Sequence, residues 1–115
     1  MADQLVATKV MGWDLDERVG LRQDNCLVIK RNDTSIGGIF HSEKFQPTTN
    51  IQDAWLVVEK LRNEKDYWFE LTTPDSFSLK YKCYFQLDDM EAEAIDDSAP
   101  LAISLAALRT EGIKI

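Results

Sequence analysis

Phe45-Gln-Pro-Thr-Thr-Asn-Ile-Gln-Asp-Ala-Trp-Leu-Val-Val-Glu-Lys-Leu61 carries the clearest helix start in the chain. Pro47 stiffens the approach, and Thr49 or Asn50 can cap the first turn, each with a polar residue three places on, Gln52 or Asp53. Behind the cap, Ile51, Ala54, Trp55, Val58 and Leu61 recur at three- and four-residue spacing, which predicts one apolar helix face. A face of that kind needs a core to pack on.

On the C-terminal side, Asn63-Glu-Lys-Asp66 is a polar exit and the period then changes to two. Tyr67, Phe69 and Leu71 alternate with Trp68, Glu70 and Thr72. After the turn Thr73-Pro-Asp-Ser76, Phe77, Leu79, Tyr81, Cys83, Phe85 and Leu87 fall at every second position. The pattern predicts an antiparallel hairpin with one face in the core. Trp68 and Tyr84 then share the wetter face with Lys80 and Lys82, and a second layer of helix is expected to cover it.

Asp88-Asp-Met-Glu-Ala-Glu-Ala-Ile-Asp-Asp97 follows, with acids and no base. It lacks the glycine and closing glutamate of a calcium loop, so it reads as a solvated acidic edge. Its alternation from Met90 to Ile95 also allows a further strand, and its charge suits a basic partner surface. The last helix opens at Asp97 or Ser98, tolerates Pro100 in its first turn and ends near Gly112. It is apolar on nearly all sides. Its Ala102, Ala106 and Ala107 permit close approach to a sheet or to a partner helix, which leaves a homo-oligomer open.

On the N-terminal side, Asp3 can cap a short helix bearing Leu5, Val6, Val10 and Trp13, with Trp13 pinning its end to the core. Cys26-Leu-Val-Ile29 predicts a strand, and a return strand is expected from Ile36 to Phe40 across Gly37-Gly38. That diglycine does not lie between a strand and a helix start with a following Lys and Ser or Thr, so it is not a phosphate loop. His41 is the only histidine, beside Ser42 and Glu43, and reads as a solvated loop residue. An acid–base role would need a carboxylate to orient it.

The whole reads as an α+β, single-domain sandwich of about three helices with an antiparallel sheet, in the order α-β-β-α-β-β-α. At 115 residues the chain has the length of one domain. Its hydrophobic share of 44% and charged share of 29% are those of a globular protein. No run is long and apolar enough for a membrane span, and Met-Ala-Asp-Gln-Leu lacks the features of a signal peptide, so a cytoplasmic location is expected. Cys26 and Cys83 are too far apart for the usual metal spacings and are expected as reduced, buried thiols. Twenty acids against 13 bases, a formal charge of −7, argue against binding a long nucleic acid.

Val10, Met11, Gly12 and Trp13; Phe45, Pro47, Thr49 to Trp55 and Val57 to Leu61; Ala92 to Ala94; and Ala99 to Leu108 form blocks that together resemble the phage ABA sandwich domain family. The resemblance implies helices and an antiparallel sheet in one sandwich, in a virus or integrated virus of bacteria. It carries over no catalytic residue, cofactor or metal, and residues 14 to 44 look individual to this chain. The expected function is that of a non-enzymatic phage or prophage accessory protein in the bacterial host cell. It would act by binding a host protein, as an anti-defence inhibitor, through Asp88, Asp89, Glu91, Glu93, Asp96 and Asp97. The alternative is binding or sequestering a small signalling nucleotide through Arg22, Lys30, Arg31, Trp68, Lys80, Lys82 and Tyr84. A third reading is an enzyme centred on His41.

Overall fold

The computed structural model describes residues 2–15, 27–29, 42–74 and 79–113. In chain order they form α1 (Ala2–Leu5), continued by a π-helical segment (Val6–Val10), then β1 (Asp14–Leu15), β2 (Leu27–Ile29), β3 (Ser42–Lys44) and α2 (Ile51–Lys65). The second half forms β4 (Trp68–Thr72), β5 (Tyr81–Leu87), β6 (Met90–Asp96) and α3 (Ala99–Thr110). Two antiparallel three-stranded sheets result, β1-β2-β3 and β4-β5-β6. The α+β class is as expected, with three strands in each half among the described residues where the predicted order has two.

The extra strands have plain causes. Asp14–Leu15 is too short to show a period. β6 is built on Glu-Ala-Glu-Ala, residue types depleted in strands, yet it closes against β5 through a turn at Asp88 and Asp89. Asp88 takes a left-handed φ of 53° there, a conformation Asp tolerates. Of the predicted N-terminal elements, Cys26 and the return strand Ile36 to Phe40, with Gly37-Gly38, lie outside the described residues, as does His41.

Asn50, the second of the two candidates, caps α2. Its side-chain oxygen accepts from the N–H groups of Gln52 (2.9 Å) and Asp53 (3.1 Å). Asp53 does not close a capping box; its carboxylate accepts from Gln46 N–H at 2.9 Å and fixes the chain that enters the helix. Asp3 likewise does not act as the predicted cap of α1. It accepts from Thr48 N–H at 2.9 Å and ties the N-terminal helix to the same approach. Beyond α1, Met11 N–H reaches Val6 O at 3.0 Å, and this wider turn helps place Val6, Ala7, Val10 and Met11 all in the core. Trp13 packs edge-on to buried Phe45 with centroids 5.0 Å apart, as its pinning role predicts.

The buried stripe of α2 is Ala54, Val57, Val58 and Leu61. Ile51 and Trp55, expected on that stripe, sit at its rim with 49% and 45% of their surface exposed. The helix is rotated so that Val57 replaces them. Trp55 instead leans edge-on against Phe69 at 5.8 Å.

Ser98 caps α3 through Leu101 N–H (3.3 Å), and Pro100 falls in the first turn, as the sequence predicts. The helix packs across β5 and β6 on one side and against α2 and the N-terminal helix on others. Ala102, Ile103, Ser104, Ala106, Ala107 and Leu108 are buried as a result. Ser104 is satisfied by donating to Pro100 O at 2.8 Å. The apolar surface that suggested an oligomer contact is thus largely covered within the chain.

The β4–β5 connection departs from the expected four-residue turn. Pairing stops at Thr72 and Lys82, and Leu79 is 89% exposed rather than inward. Phe77 lies outside the described residues. Further along β5, Cys83 is a free, buried thiol, and burial pushes its pKa up to about 12. Because the folded protein holds this proton more tightly than the unfolded chain, the stabilisation is complete below the unfolded value near 9. It is lost as pH rises toward 12. Over that window the stability of the native chain is expected to fall, relative to Cys83→Ala, by about 1.4 kcal/mol per pH unit. Urea titrations of both proteins across the window check it; parallel curves would show that the thiol ionises equally well in the fold.

Candidate functional site

The register of β4, β5 and β6 sorts their side chains into two faces. Phe69, Phe85 and Ala92 form one cross-strand row and Leu71, Cys83 and Ala94 the next. These rows turn toward α3, and Cys83, Phe85, Ala92 and Ala94 are buried. The small alanines let the helix approach β6 closely.

The opposite face carries the rows Trp68–Gln86–Glu91, Glu70–Tyr84–Glu93 and Thr72–Lys82–Ile95. No described helix packs on it, so the expected second layer is absent among the described residues. Trp68 is 61% exposed and Ile95 51%. Large apolar groups left in water at opposite corners of a sheet face, with polar rows between them, mark a surface fit for contact.

The polar groups between them hold one another in place. Trp68 Nε1–H donates to Glu70 Oε1 at 3.2 Å, two residues along the same strand. Tyr84 O–H donates to Glu91 Oε1 at 2.8 Å, and Lys82 Nζ lies 3.1 Å from Glu93 Oε2, both across the β5–β6 pair. Three carboxylates therefore face one ammonium. The hydrogen bond to Glu91 raises the pKa of Tyr84, desolvation adds to it, and the charges of Glu91, Glu70 and Glu93 act in the same direction. At one end, Asp66, Tyr67, Trp68, Gln86, Leu87 and Asp88 line a shallow hollow of about 470 Å³.

Of the acidic residues expected to meet a partner, only Glu91 and Glu93 lie on this face. Asp88 and Asp89 form the adjoining turn and are exposed. Asp96 points to the helix side, where its carboxylate accepts from Ser98 N–H at 3.1 Å, and Asp97 is at the far end of β6. The ten-residue acidic stretch is split by the period of the strand rather than presented as one strip. Of the residues expected for a nucleotide, Trp68, Lys82 and Tyr84 share the face, Lys80 is exposed just before β5, and Arg22, Lys30 and Arg31 lie outside the described residues. The site includes Glu70, Gln86 and Ile95, which the sequence reading had not singled out. The signal was there in Ile95, the one apolar residue on the polar phase of Glu91-x-Glu93-x-Ile95. Among the described residues no group of His, Cys, Asp and Glu is arranged to hold a metal ion, and no helix is long and apolar enough to cross a membrane.

The family model described as the phage ABA sandwich domain matches residues 4–108, nearly the whole described fold. The chain belongs to the phage ABA sandwich domain family. No curated protein matches it. Among solved structures, a phage protein from Bacillus cereus ATCC 14579 superposes with a TM-score of 0.66 at 23% identity. The match covers 99% of this chain and 87% of that one, and it shows that the two share a fold. Within this phage ABA sandwich chain the matched span holds most of α3, the buried rows of β4–β6 and the cap of α2. The open rows of β4–β6 lie in the same span, on the side that no described helix covers.

Proposed function

We propose that this chain is a non-enzymatic phage accessory protein of the bacterial host cell, and that it acts by binding a host protein. The contact surface is the open face of β4–β6 and the partner surface is basic, with inhibition of a host defence component as the consequence. The observation that carries the reading is Trp68, 61% exposed, and Ile95 beside carboxylates already held by Tyr84 and Lys82. An aromatic anchor with a charged surround is the usual make-up of an interface centre, and fixed charges lose little freedom when a partner arrives. The same face disfavours a nucleotide, because a phosphate would meet three carboxylates while Lys82 is paired with Glu93.

The test begins with isolation and identification of the host protein retained by the chain, followed by titration of the purified pair. Trp68→Ala is expected to weaken binding about 30-fold, the ~2 kcal/mol of an anchor residue, with the melting temperature nearly unchanged because the side chain is exposed. Glu70→Lys with Glu91→Lys is expected to slow association and to flatten its dependence on salt. Unchanged affinity for both variants would place the contact elsewhere.

A further inference from the structure

β6 is an edge strand: β5 lies on one side of it and no described strand on the other. Leu87 and Met90 close the turn at Asp88 and Asp89, so they form a hydrogen-bonded pair, and the alternation of an antiparallel ladder fixes the rest. Phe85–Ala92, Cys83–Ala94 and Tyr81–Asp96 are bonded pairs, whereas the backbone N–H and C=O groups of Glu91, Glu93 and Ile95 point away from β5. An independent contact agrees: the guanidinium of Arg109 on α3 donates to the carbonyl oxygen of Glu93. That carbonyl therefore faces outward, and Arg109 occupies one acceptor on an edge that no described strand pairs with.

The opposite edge is a poorer template. Since Gln86, Tyr84 and Lys82 direct their backbone toward β4, only Phe69 and Leu71 face outward there, and Trp55 of α2 packs against Phe69. On β6 the three residues with outward backbone also have exposed side chains, and all three belong to the open face.

We infer that the edge of β6 receives an extended, basic segment of the partner by strand addition, continuing the sheet β4-β5-β6 by one strand. This deepens, and rests on, the reading of the open face as a protein-contact surface. Main-chain pairing would supply the bonds, and the side chains of β6 would select the segment. Positions opposite Glu91 and Glu93 call for Lys or Arg, and the position opposite Ile95 calls for an apolar residue. For an antiparallel segment that order is apolar-x-basic-x-basic. A second copy of this chain does not suit the edge, since antiparallel pairing of β6 with itself about its centre sets Glu93 against Glu93. The incoming strand displaces the Arg109 guanidinium from the Glu93 carbonyl, so Arg109 guards the edge against unselective pairing.

The probe is a synthetic peptide in which Val, Lys and Lys alternate with Thr in that order, flanked by Thr to the length of β6. Its control has the same sequence with the backbone nitrogens of its pairing positions methylated, which keeps charge and side chains and removes the donors. With the full chain, the parent peptide is expected to bind at least about tenfold more tightly than the control, as loss of several backbone hydrogen bonds requires. It is also expected to slow amide hydrogen exchange at Glu91, Glu93 and Ile95, the outward-facing set. Equal affinities, or no binding by either peptide, would overturn strand addition. Neither result would overturn the reading of the face, which stands or falls on the Trp68 and Glu70/Glu91 variants with the purified host protein.

Discussion

Phe85→Ala is expected to destabilise the protein by about 3–5 kcal/mol, the range for an aromatic removed from a packed core. Phe85 has no exposed surface and lies at the meeting point of both halves of the hydrophobic face of β4–β6. Its ring is 6.2 Å from that of Tyr67 and 5.4 Å from that of Phe69, and α3 closes over it. Collapse cannot fill the gap easily, because the residue opposite on β6 is Ala92 and the helix above is held off by its own backbone. A domain of this size has a total stability of about 5–15 kcal/mol, so the variant approaches the unfolding threshold. Urea unfolding followed by tryptophan fluorescence measures the shift in midpoint. A loss under about 1 kcal/mol would show that the sheet and α3 are not packed as described.

Leu61→Ala is expected to cost about 2–5 kcal/mol, and Trp55→Ala distinctly less although it deletes a larger side chain. Both positions fall on the apolar stripe that the sequence spacing predicts for α2. Leu61 is fully buried at the end of the stripe, where Tyr67 N–H also returns to its carbonyl at 3.0 Å to close the helix. Trp55 is nearly half exposed, so its truncation removes an edge contact with Phe69 and part of its burial but leaves no closed cavity. The same unfolding experiment on the two variants gives the order. Should Trp55→Ala prove the more damaging, the stripe runs where the simple helical spacing placed it and Val57 is not at its centre.

The orientation of α2 bears on the open face as well. By setting Trp55 beside Phe69, α2 packs next to β4, whereas β6 has no described strand beyond it. The positions that hold the sheet together and those proposed to meet a partner fall on alternate residues of the same strands. Substitutions at Trp68 or Glu91 change the surface while Phe85 and Cys83 keep the fold.

What the sequence determined by itself was local. The caps of α2 and α3 were legible because Asn50 and Ser98 satisfy orphan N–H groups two or three residues away, and the hairpin was legible because alternation repeats every second residue. The burial of α3 followed from its having almost no polar side. Tertiary structure decided the rest. Periodicity states which residues share a face, but not which element covers that face. That depends on where a chain segment far away in sequence comes to lie. Hence Trp68, Tyr84 and Lys82 were grouped correctly while their face was expected to be covered, and the acidic stretch read as one strip until pairing with β5 divided it. In the Phe45 to Leu61 stretch the same limit applies: its cap and helix are written in neighbouring residues, whereas the rotation that buries Val57 and leaves Trp55 at the rim is set by its packing with α3 and β4.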